Sequence, residues 1–287
     1  MNAIRQPVSG LPREARLILG LWLVLTAIGV PLVILVLGPH LPPGRMSSEA
    51  AAQTDANVLL TALLTPIILL LVVQFGYSLI VFRARGDDLE DGPPIHGHGP
   101  TQVVWLVLTS AIVLALAVWG SYTLIVSAHG AGGGQGPNPD ALPANYKQAL
   151  QVQVIGQQWN WTYRFPGYRN IETAQLELPA GADIEFHVTS LDVAHSFWAY
   201  QLGVKADAIP GVDNIAFVHP RKLGNFTIRC AELCGLWHGH MYQTGRVVTT
   251  GQFKTWIAAQ ERQEAGNLKY LPPYSRDYFP EPLRRAG

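Results

Sequence analysis

The sequence predicts a membrane-anchored all-β protein, in which amino-terminal transmembrane α-helices are followed by a β-sandwich. Three observations support this prediction: three long apolar runs in the first 130 residues, a glycine- and proline-rich stretch after them, and a series of short strand-like segments beyond. Hydrophobic residues make up 48% of the 287-residue chain and charged residues only 14%. The net charge is zero, and no nucleic-acid partner is expected.

The apolar runs predict a membrane anchor over residues 1–128. Each run is long enough to cross roughly 30 Å of hydrocarbon at about 1.5 Å per residue. A buried core helix could explain one such run, but three in succession indicate that the lipid bilayer is a partner. The runs cover residues 17–38, 57–82 and 102–127.

The first run has an alternative interpretation as a cleaved signal peptide. A small-residue cleavage site would then be expected, and Ala50-Ala51-Ala52 is the candidate. The run is long for the apolar part of a signal peptide, and the alanines lie far beyond its end. These features favour a retained helix.

Basic residues beside the runs predict the orientation, because cytoplasmic connections carry an excess of Lys and Arg. The connection between the first and second runs carries only Arg45. We therefore expect a cytoplasmic amino terminus in a multi-pass protein of a bacterial-type inner membrane, with everything after about residue 127 on the outer side. The arginines before the first run and after the second are Arg5, Arg13, Arg16, Arg83 and Arg85.

Beyond the anchor, residues 129–148 predict a linker, because glycine and proline at that density form neither helix nor strand interiors. Residues 149–265 predict a sandwich or barrel of short strands. Residues 252–264 indicate a closing helix, and residues 266–287 an extended tail rich in Pro and Tyr. Strands are expected at residues 150–155, 159–165, 174–178, 183–189, 214–218, 225–230 and 245–249.

The two cysteines of the chain lie in the motif Cys230-Ala-Glu-Leu-Cys234-Gly-Leu-Trp-His238-Gly-His-Met241. Two cysteines in an exported domain often form a disulfide, and a lone His or Met is usually a packing residue. Here two thiols, an imidazole and a thioether occur together, with His195 upstream. This soft ligand set favours copper.

The number of ligands indicates two copper ions. A mononuclear blue-copper site needs one cysteine, two histidines and a weak axial methionine, so the second cysteine is surplus for one ion. Two thiolates can instead bridge two ions and share one unpaired electron between them, which suits rapid one-electron transfer. A sandwich that holds copper in the loops at one end is a cupredoxin-like arrangement.

The cysteine motif resembles that of subunit II of the haem–copper oxidase superfamily, the cytochrome c oxidase subunit that carries the binuclear copper A (CuA) centre. The second and third apolar runs also fit that family. Three further segments share the resemblance: Gly156-Gln-Gln-Trp159-Asn-Trp161-Thr-Tyr163, Asp192-Val-Ala-His195-Ser-Phe-Trp198 and Lys205-Ala-Asp207-Ala-Ile-Pro210-Gly211.

The resemblance implies a role for each site residue. Cys230 and Cys234 would bridge the coppers, and Trp159 would receive electrons from cytochrome c. The side chain of Glu232 would reach a magnesium ion at the boundary with the haem-bearing catalytic subunit I. The remaining copper ligands would be His195 with Met241 on one ion, and His238 with the backbone carbonyl of Glu232 on the other.

The implied function is electron transfer into a terminal oxidase, from a cytochrome c to the catalytic subunit that reduces oxygen, within a complex of further oxidase subunits. A membrane-bound cytochrome is an alternative donor, because the exported domain is nearly balanced in charge. Two other functions stay open: the CuA subunit of a nitric oxide reductase, and a membrane-anchored copper carrier.

The chain departs from the family pattern in three places. Gln102 stands where the family has a glutamate at the mouth of a proton path, which slightly favours a nitric oxide reductase. Val212 replaces the arginine of the family's Pro-Gly-Arg, and the first apolar run is additional. His240 matches no family ligand and is expected beside the site or in solvent.

Overall fold

The computed structural model describes residues 12–83, 97–122 and 148–265. The predicted linker, apart from residue 148, and the predicted tail lie outside the described residues. Contacts within the chain define two units. One comprises residues up to 41 with residues 55–104, and the other comprises residues 42–54 with residues from 105 onward.

Three apolar helices form the amino-terminal part, and all three are long and apolar enough to cross a membrane. The first continues beyond Leu32 through a π-helical turn and a short 3-10 turn to His40. The second begins earlier than residue 57, because the Ser47 hydroxyl accepts a hydrogen bond from the Ala50 amide at 2.9 Å and caps the helix. The helices are α1, Arg13–Leu32; α2, Ser48–Val81; and α3, Gly99–Tyr122.

Within their unit, α1 packs closely on α2. The Trp22 indole donates a hydrogen bond to the Pro66 carbonyl at 2.8 Å. Gly29 provides the close approach, since a Cβ atom there would lie 3.1 Å from the Leu69 side chain and 3.3 Å from that of Thr65. Small residues at helix contacts are the usual basis of such packing in membranes.

The carboxy-terminal part is a sandwich of two five-stranded sheets. Its strands are β1, Leu150–Gln157; β2, Asn160–Phe165; β3, Ile171–Thr173; β4, Glu177–Pro179; β5, Ile184–Ser190; β6, His195–Ala199; β7, Val204–Ala208; β8, Asn214–Val218; β9, Gly224–Cys230; and β10, Tyr242–Val248. Sheet 1 has the order β3-β2-β1-β5-β8 and sheet 2 the order β4-β10-β9-β6-β7. Pairs β1–β5 and β10–β4 are parallel, and the other pairs are antiparallel.

Aromatic side chains fill the space between the sheets. Phe197 of β6 lies at the centre, with its ring 5.6 Å from Trp161, 5.4 Å from Phe186 and 6.4 Å from Tyr163 between centroids. All four side chains are fully buried. Such edge-on and tilted contacts add specific geometry to the burial of large apolar surfaces. Together with the apolar helices, this sandwich confirms the predicted fold class.

Three of the strands, β3, β6 and β7, differ from the sequence prediction. No strand was expected between residues 189 and 214, whereas His195 is the first residue of β6. Four of the five β6 residues are buried, so the strand lacks the alternation of polar and apolar residues that identifies a half-exposed strand. The predicted closing helix is present as α4, Thr250–Glu264. It is capped by Thr249 and Gln252 and buries Phe253 and Ile257.

Residues 42–54, which we call the clasp, pack on the end of the sandwich where β6 ends and β9 begins. The Ser47 hydroxyl donates to the Leu202 carbonyl at 2.7 Å, and the Gln53 amide donates to the Gly203 carbonyl at 2.7 Å. Ser47 and Ala50 are completely buried. The loop before α2 and the first turns of α2 are therefore part of this unit's packed structure.

Candidate metal centre

The predicted ligands converge at the opposite end of the sandwich, where β6 begins and β9 ends. Cys230 is the last residue of β9 and pairs with Phe197 of β6. Phe197 lies two residues after His195 in the same strand. The following segment, residues 231–241, is the ligand loop. It returns to the strand because the Cys230 amide donates to the Met241 carbonyl at 3.0 Å.

The sulfur atoms of Cys230 and Cys234 lie 3.7 Å apart, and both cysteines are free and buried. A disulfide bond is about 2.05 Å long, so the structure does not contain the disulfide considered above. Metal–thiolate bonds are about 2.3 Å long, which allows one ion to contact two sulfurs less than about 4.6 Å apart. The two thiols therefore fit a metal centre in which they share ions.

Two imidazoles and a thioether surround the sulfurs. Nδ1 of His195 lies 3.8 Å from Cys230 Sγ, and Nδ1 of His238 lies 3.5 Å from Cys234 Sγ. The Met241 sulfur is 3.8 Å from Cys234 Sγ. The donor atoms of His195, Cys230 and Cys234 all lie within 4.8 Å of one another. This cluster is consistent with a copper site, because soft sulfur and imidazole donors select copper over magnesium or calcium.

Glu232 contributes through its backbone. Its carbonyl accepts a hydrogen bond from the Cys230 thiol at 3.2 Å, whereas its side chain is exposed. The carbonyl thus lies where it could serve as a further donor, and the carboxylate points away from the core. Glu232 could therefore contact a metal through its main-chain carbonyl and a partner through its side chain.

Asp192 orients His195. Its Oδ1 lies 2.9 Å from His195 Nε2, and it also accepts hydrogen bonds from the amides of Val193 and Gln158, both at 2.6 Å. Burial works against ionisation of Asp192, but the hydrogen bonds from Gln158, His195 and Val193 lower its pKa. A carboxylate on one imidazole nitrogen leaves the other nitrogen aimed at the metal.

Two glycines allow the close approach of other groups to the site. A Cβ atom on Gly156 would lie 3.1 Å from the His195 ring and 3.0 Å from Trp161. Gly235 has a φ of +112°, and a Cβ there would lie 3.0 Å from the side-chain nitrogen Nε2 of Gln158. Both positions therefore favour glycine, the second also for its left-handed backbone.

The two tryptophans predicted on one strand have different roles. Trp161 is fully buried in the core. Trp159 lies in the β1–β2 turn, is partly buried, and donates its indole N–H to the Cys234 carbonyl at 3.2 Å. The side-chain Nε2 of Gln158 donates a hydrogen bond to the same carbonyl at 2.9 Å. Neither Gln158 nor Asp192 was predicted from the sequence to support the site. The spacing Asp192-Val-Ala-His195 was the available signal for Asp192.

Burial, together with the neighbouring Cys230, raises the pKa of the Cys234 thiol to about 12. Such a thiol is a poor nucleophile, because the reactive form is the thiolate. Cation binding would favour the deprotonated form and release a proton. The electrostatics thus suit a metal ligand better than a thiol catalyst.

The remaining positions lie outside this cluster. His240 is exposed, with its ring 5.3 Å from that of Trp237. Gln102 is exposed in the first turn of α3, and Val212 lies in a turn closed by its amide and the Ile209 carbonyl at 3.2 Å.

Comparisons with known proteins identify relatives of the chain. Residues 171–248 match the family described as "Cytochrome C oxidase subunit II, periplasmic domain". A "Cytochrome c oxidase subunit 2" of Synechocystis sp. is 27% identical, with 87% of this chain and 90% of the relative covered. A "Probable cytochrome c oxidase subunit 2" of Streptomyces avermitilis is 30% identical, with 91% of this chain and 78% of the relative covered.

Among solved structures, the periplasmic domain of cytochrome oxidase subunit II from Bradyrhizobium japonicum is 31% identical. The match covers 40% of this chain and 94% of that domain, with a TM-score of 0.39.

Proposed function

The chain belongs to the cytochrome c oxidase subunit II family, and from this premise we propose that it carries a binuclear CuA centre and is the electron-receiving subunit of a terminal oxidase. As a family member it is a component of an oxidoreductase complex, with apolar helices and a domain on the outer side of a membrane. Its catalytic partner is the haem-bearing subunit of that complex.

The single observation that supports the binuclear centre is the pair of free, buried thiols 3.7 Å apart. When bound, the copper pair would supply reversible one-electron transfer. The chain's own residues would hold it in the arrangement that the resemblance implies. Cys230 and Cys234 would hold both ions, with His195 and Met241 as further ligands of one ion and His238 and the Glu232 carbonyl as further ligands of the other. Asp192 fixes the ring of His195, and burial of the sulfurs excludes water.

Trp159 is proposed as the residue that receives electrons from cytochrome c. Its indole N–H is hydrogen-bonded to the carbonyl of Cys234 at 3.2 Å, so a continuous bonded path leads from the indole to a bridging thiolate. The ring is partly buried rather than enclosed, which leaves part of it available to a donor.

The carboxylate of Glu232 is proposed to bind magnesium at the boundary with the catalytic subunit. The residue has an exposed side chain and a carbonyl within the ligand cluster. A carboxylate oxygen is a ligand type that magnesium prefers. Glu232 would thereby connect the copper centre to its electron acceptor.

The clasp supports the proposed topology. Residues 47–53 hydrogen-bond to the sandwich, which supports placing the amino-terminal end of α2 on the same side of the membrane as the sandwich. Because α1 would cross the membrane once before this point, the amino terminus would lie on the cytoplasmic side. This orientation agrees with the one predicted from the arginines beside the apolar runs. The candidate cleavage site at Ala50 is buried. Cleavage there would also remove Ser47, which hydrogen-bonds to the sandwich. We therefore propose that α1 is retained.

Metal content and spectrum test the proposal. The purified full-length chain should bind two copper ions per molecule and give the electron paramagnetic resonance signal of one electron shared between two copper nuclei. A single ion with a blue mononuclear spectrum would contradict the binuclear assignment.

A nitric oxide reductase is the second candidate, and the observation that favours it is Gln102 in place of a proton-path glutamate. An amide cannot relay protons as a carboxylate does. The purified complex, including the catalytic subunit, should consume oxygen rather than nitric oxide if the terminal-oxidase proposal holds. The reverse preference would select the reductase.

A further inference from the structure

A groove lies between the edge of sheet 1 and the last turns of α4, and the copper site does not use it. We call it the polar groove. Its volume is about 650 Å³, and apart from Ala174 the described residues that line it have polar or charged side chains. The members used below are Thr162, Arg164 and Glu172 on the sheet side, and Gln260, Gln263 and Glu264 on the side of α4.

Strand β2 forms the floor of the groove, because its side chains alternate between the two faces of sheet 1. Trp161, Tyr163 and Phe165 belong to the core, so Thr162 and Arg164 point to the outer face. The Arg164 side chain is only 6% exposed. The groove is therefore built on a buried charge rather than on flexible surface side chains.

The groove carries a net negative charge. Arg164 donates from Nε at 3.2 Å and from Nη2 at 2.8 Å to Oε2 of Glu172. Glu172 balances the guanidinium, and Glu264 is the additional acid. The Glu172 side chain is still 46% exposed, so its carboxylate can accept further hydrogen bonds. An occupant that fits is cationic and rich in hydrogen-bonding groups.

We propose that the polar groove binds the carboxy-terminal tail of the same chain, with residues 267–276 in the groove. The tail begins at residue 266, only two residues after Glu264, so the chain leaves α4 at the rim of the groove. A segment tethered so closely has an effective concentration in the millimolar range, and weak contacts are then sufficient to hold it.

The size of the groove fits a short part of the tail. Its volume lies within the roughly 300–1,000 Å³ that is usual for pockets that enclose small ligands. Residues 267–276 in an extended conformation would reach about 31 Å at about 3.1 Å per residue. They can therefore cross the groove and leave residues 277–287 beyond it.

The charge of the segment complements that of the groove. Residues 267–276 contain Lys269 and Arg276 and no Asp or Glu. The acceptors for these cations are the carboxylates of Glu172 and Glu264. Exposed ion pairs of this kind contribute little individually, so the charges favour the segment without accounting for its binding alone.

The backbone of the segment supplies the remaining hydrogen-bonding groups. Pro272 and Pro273 favour the polyproline II conformation, whose carbonyls have no partner within the segment. The side-chain amides of Gln260 and Gln263 are donors for such carbonyls. This inference goes beyond the proposed function and does not depend on the copper centre.

The test places the photo-crosslinking residue p-benzoylphenylalanine at position 175 of the full-length chain, purified with the complex to which it belongs. Gln175 lines the groove and is exposed. It is also about ninety residues away from the tail in sequence. We expect crosslinks to peptides from residues 266–287, identified by mass spectrometry, in a product that migrates as a single subunit. The control is the same residue in place of Asn225, which is exposed on β9 of sheet 2 and should give no crosslink to the tail.

A second measurement uses chymotrypsin, which can cleave the segment after Tyr270 and Tyr274. Glu264→Lys should speed cleavage at these sites roughly two- to fivefold, because it replaces an attractive charge with a repulsive one. Glu261→Lys is the matched control, since Glu261 lies on the same helix outside the groove, and it should leave the rate unchanged.

A crosslink from position 175 to residues 123–147, to a second copy of the chain or to another subunit would overturn the proposal by assigning the groove to that occupant. Absence of any crosslink to the tail, or equal cleavage rates in the wild type and Glu264→Lys, would also overturn it. Copper content should be the same in all variants. A wild type without two coppers would contradict the proposed function and leave the result for the groove unaffected.

Discussion

The two ends of the sandwich are held together in different ways. At the metal end, sulfur and nitrogen donors approach one another to within 3.5–3.8 Å, and large apolar side chains face outward. At the clasp end, small side chains are completely buried and bond to backbone carbonyls. The metal end presents converging donor atoms to a ligand, whereas the clasp end is packed and hydrogen-bonded entirely within the chain.

This difference predicts that substitutions at the two ends have separable effects. Changes at the metal end should alter copper binding with little loss of stability. Changes at the clasp end should lower the free energy of unfolding and leave the copper content of folded molecules intact.

The largest effect is expected for Cys234→Ser, because the loss of one thiolate removes a bridge between the two ions. We expect the shared-electron signal to disappear and copper content to fall below two per chain, as measured by metal analysis and electron paramagnetic resonance. His240→Ala is the control and should retain two coppers, since the His240 side chain is exposed and faces Trp237. Loss of copper in that control would mean that the ligand set is incorrect.

Gly203→Val tests the clasp end. Gly203 has a φ of +67°, and a Cβ atom there would lie 2.9 Å from the backbone of Ala50. Left-handed backbone costs a side chain roughly 1–2 kcal/mol, and an overpacked contact roughly 1–3 kcal/mol. We therefore expect the free energy of unfolding to fall by about 2–5 kcal/mol, measured by thermal or denaturant unfolding.

The control for this substitution is Gly251→Ala, where the added Cβ meets nothing within 4 Å. It should leave the stability nearly unchanged. Equal stability of Gly203→Val and the wild type would show that the clasp does not contribute to the packing of the sandwich.

His187, on β5 between the two ends, predicts how the stability of the sandwich depends on pH. Burial alone would lower the pKa of His187, but hydrogen bonds to Asp213 and Glu185 outweigh it and raise the pKa to about 9. Because the pKa is raised on folding, the stabilisation is fully present below the unfolded value of about 6.5 and is lost as the pH rises through 9.

The loss is at most on the order of 3 kcal/mol. His187→Gln should abolish this part of the pH dependence, measured as the unfolding midpoint between pH 6 and 10. A wild-type midpoint that stays constant over this range would contradict the assignment of a charged His187.

The smallest effect is expected for Asp192→Asn. The amide retains one acceptor oxygen but no longer carries the charge that stabilises the His195 ring orientation. Copper content should be retained, while the hyperfine pattern and the reduction potential shift, as measured by electron paramagnetic resonance and redox titration. Glu177→Gln, which alters an ion pair with Arg246 elsewhere in sheet 2, should change neither.

The sequence predicted the metal end better than the clasp end for a physical reason. Cysteine, histidine and methionine at fixed spacing have few roles in common other than ligation, so Cys230 to Met241 indicates its chemistry directly. Ser47 and Ala50 have no such signature, because small residues suit many surroundings. Their burial depends on Leu202 and Gly203, which are far away in the chain. β6 was missed for a related reason, since a strand buried on both faces shows no alternation.

The clasp also has a consequence for the order in which the chain folds. Its hydrogen bonds join residues 150, 155 and 170 positions apart, and the chain between them includes α2, α3 and the strands β1 to β6. Contacts between such distant residues close late, because the intervening chain has to be placed first. The clasp is therefore synthesised early but can reach its partners only after most of the sandwich has been made, which couples completion of the sandwich to insertion of the preceding helices.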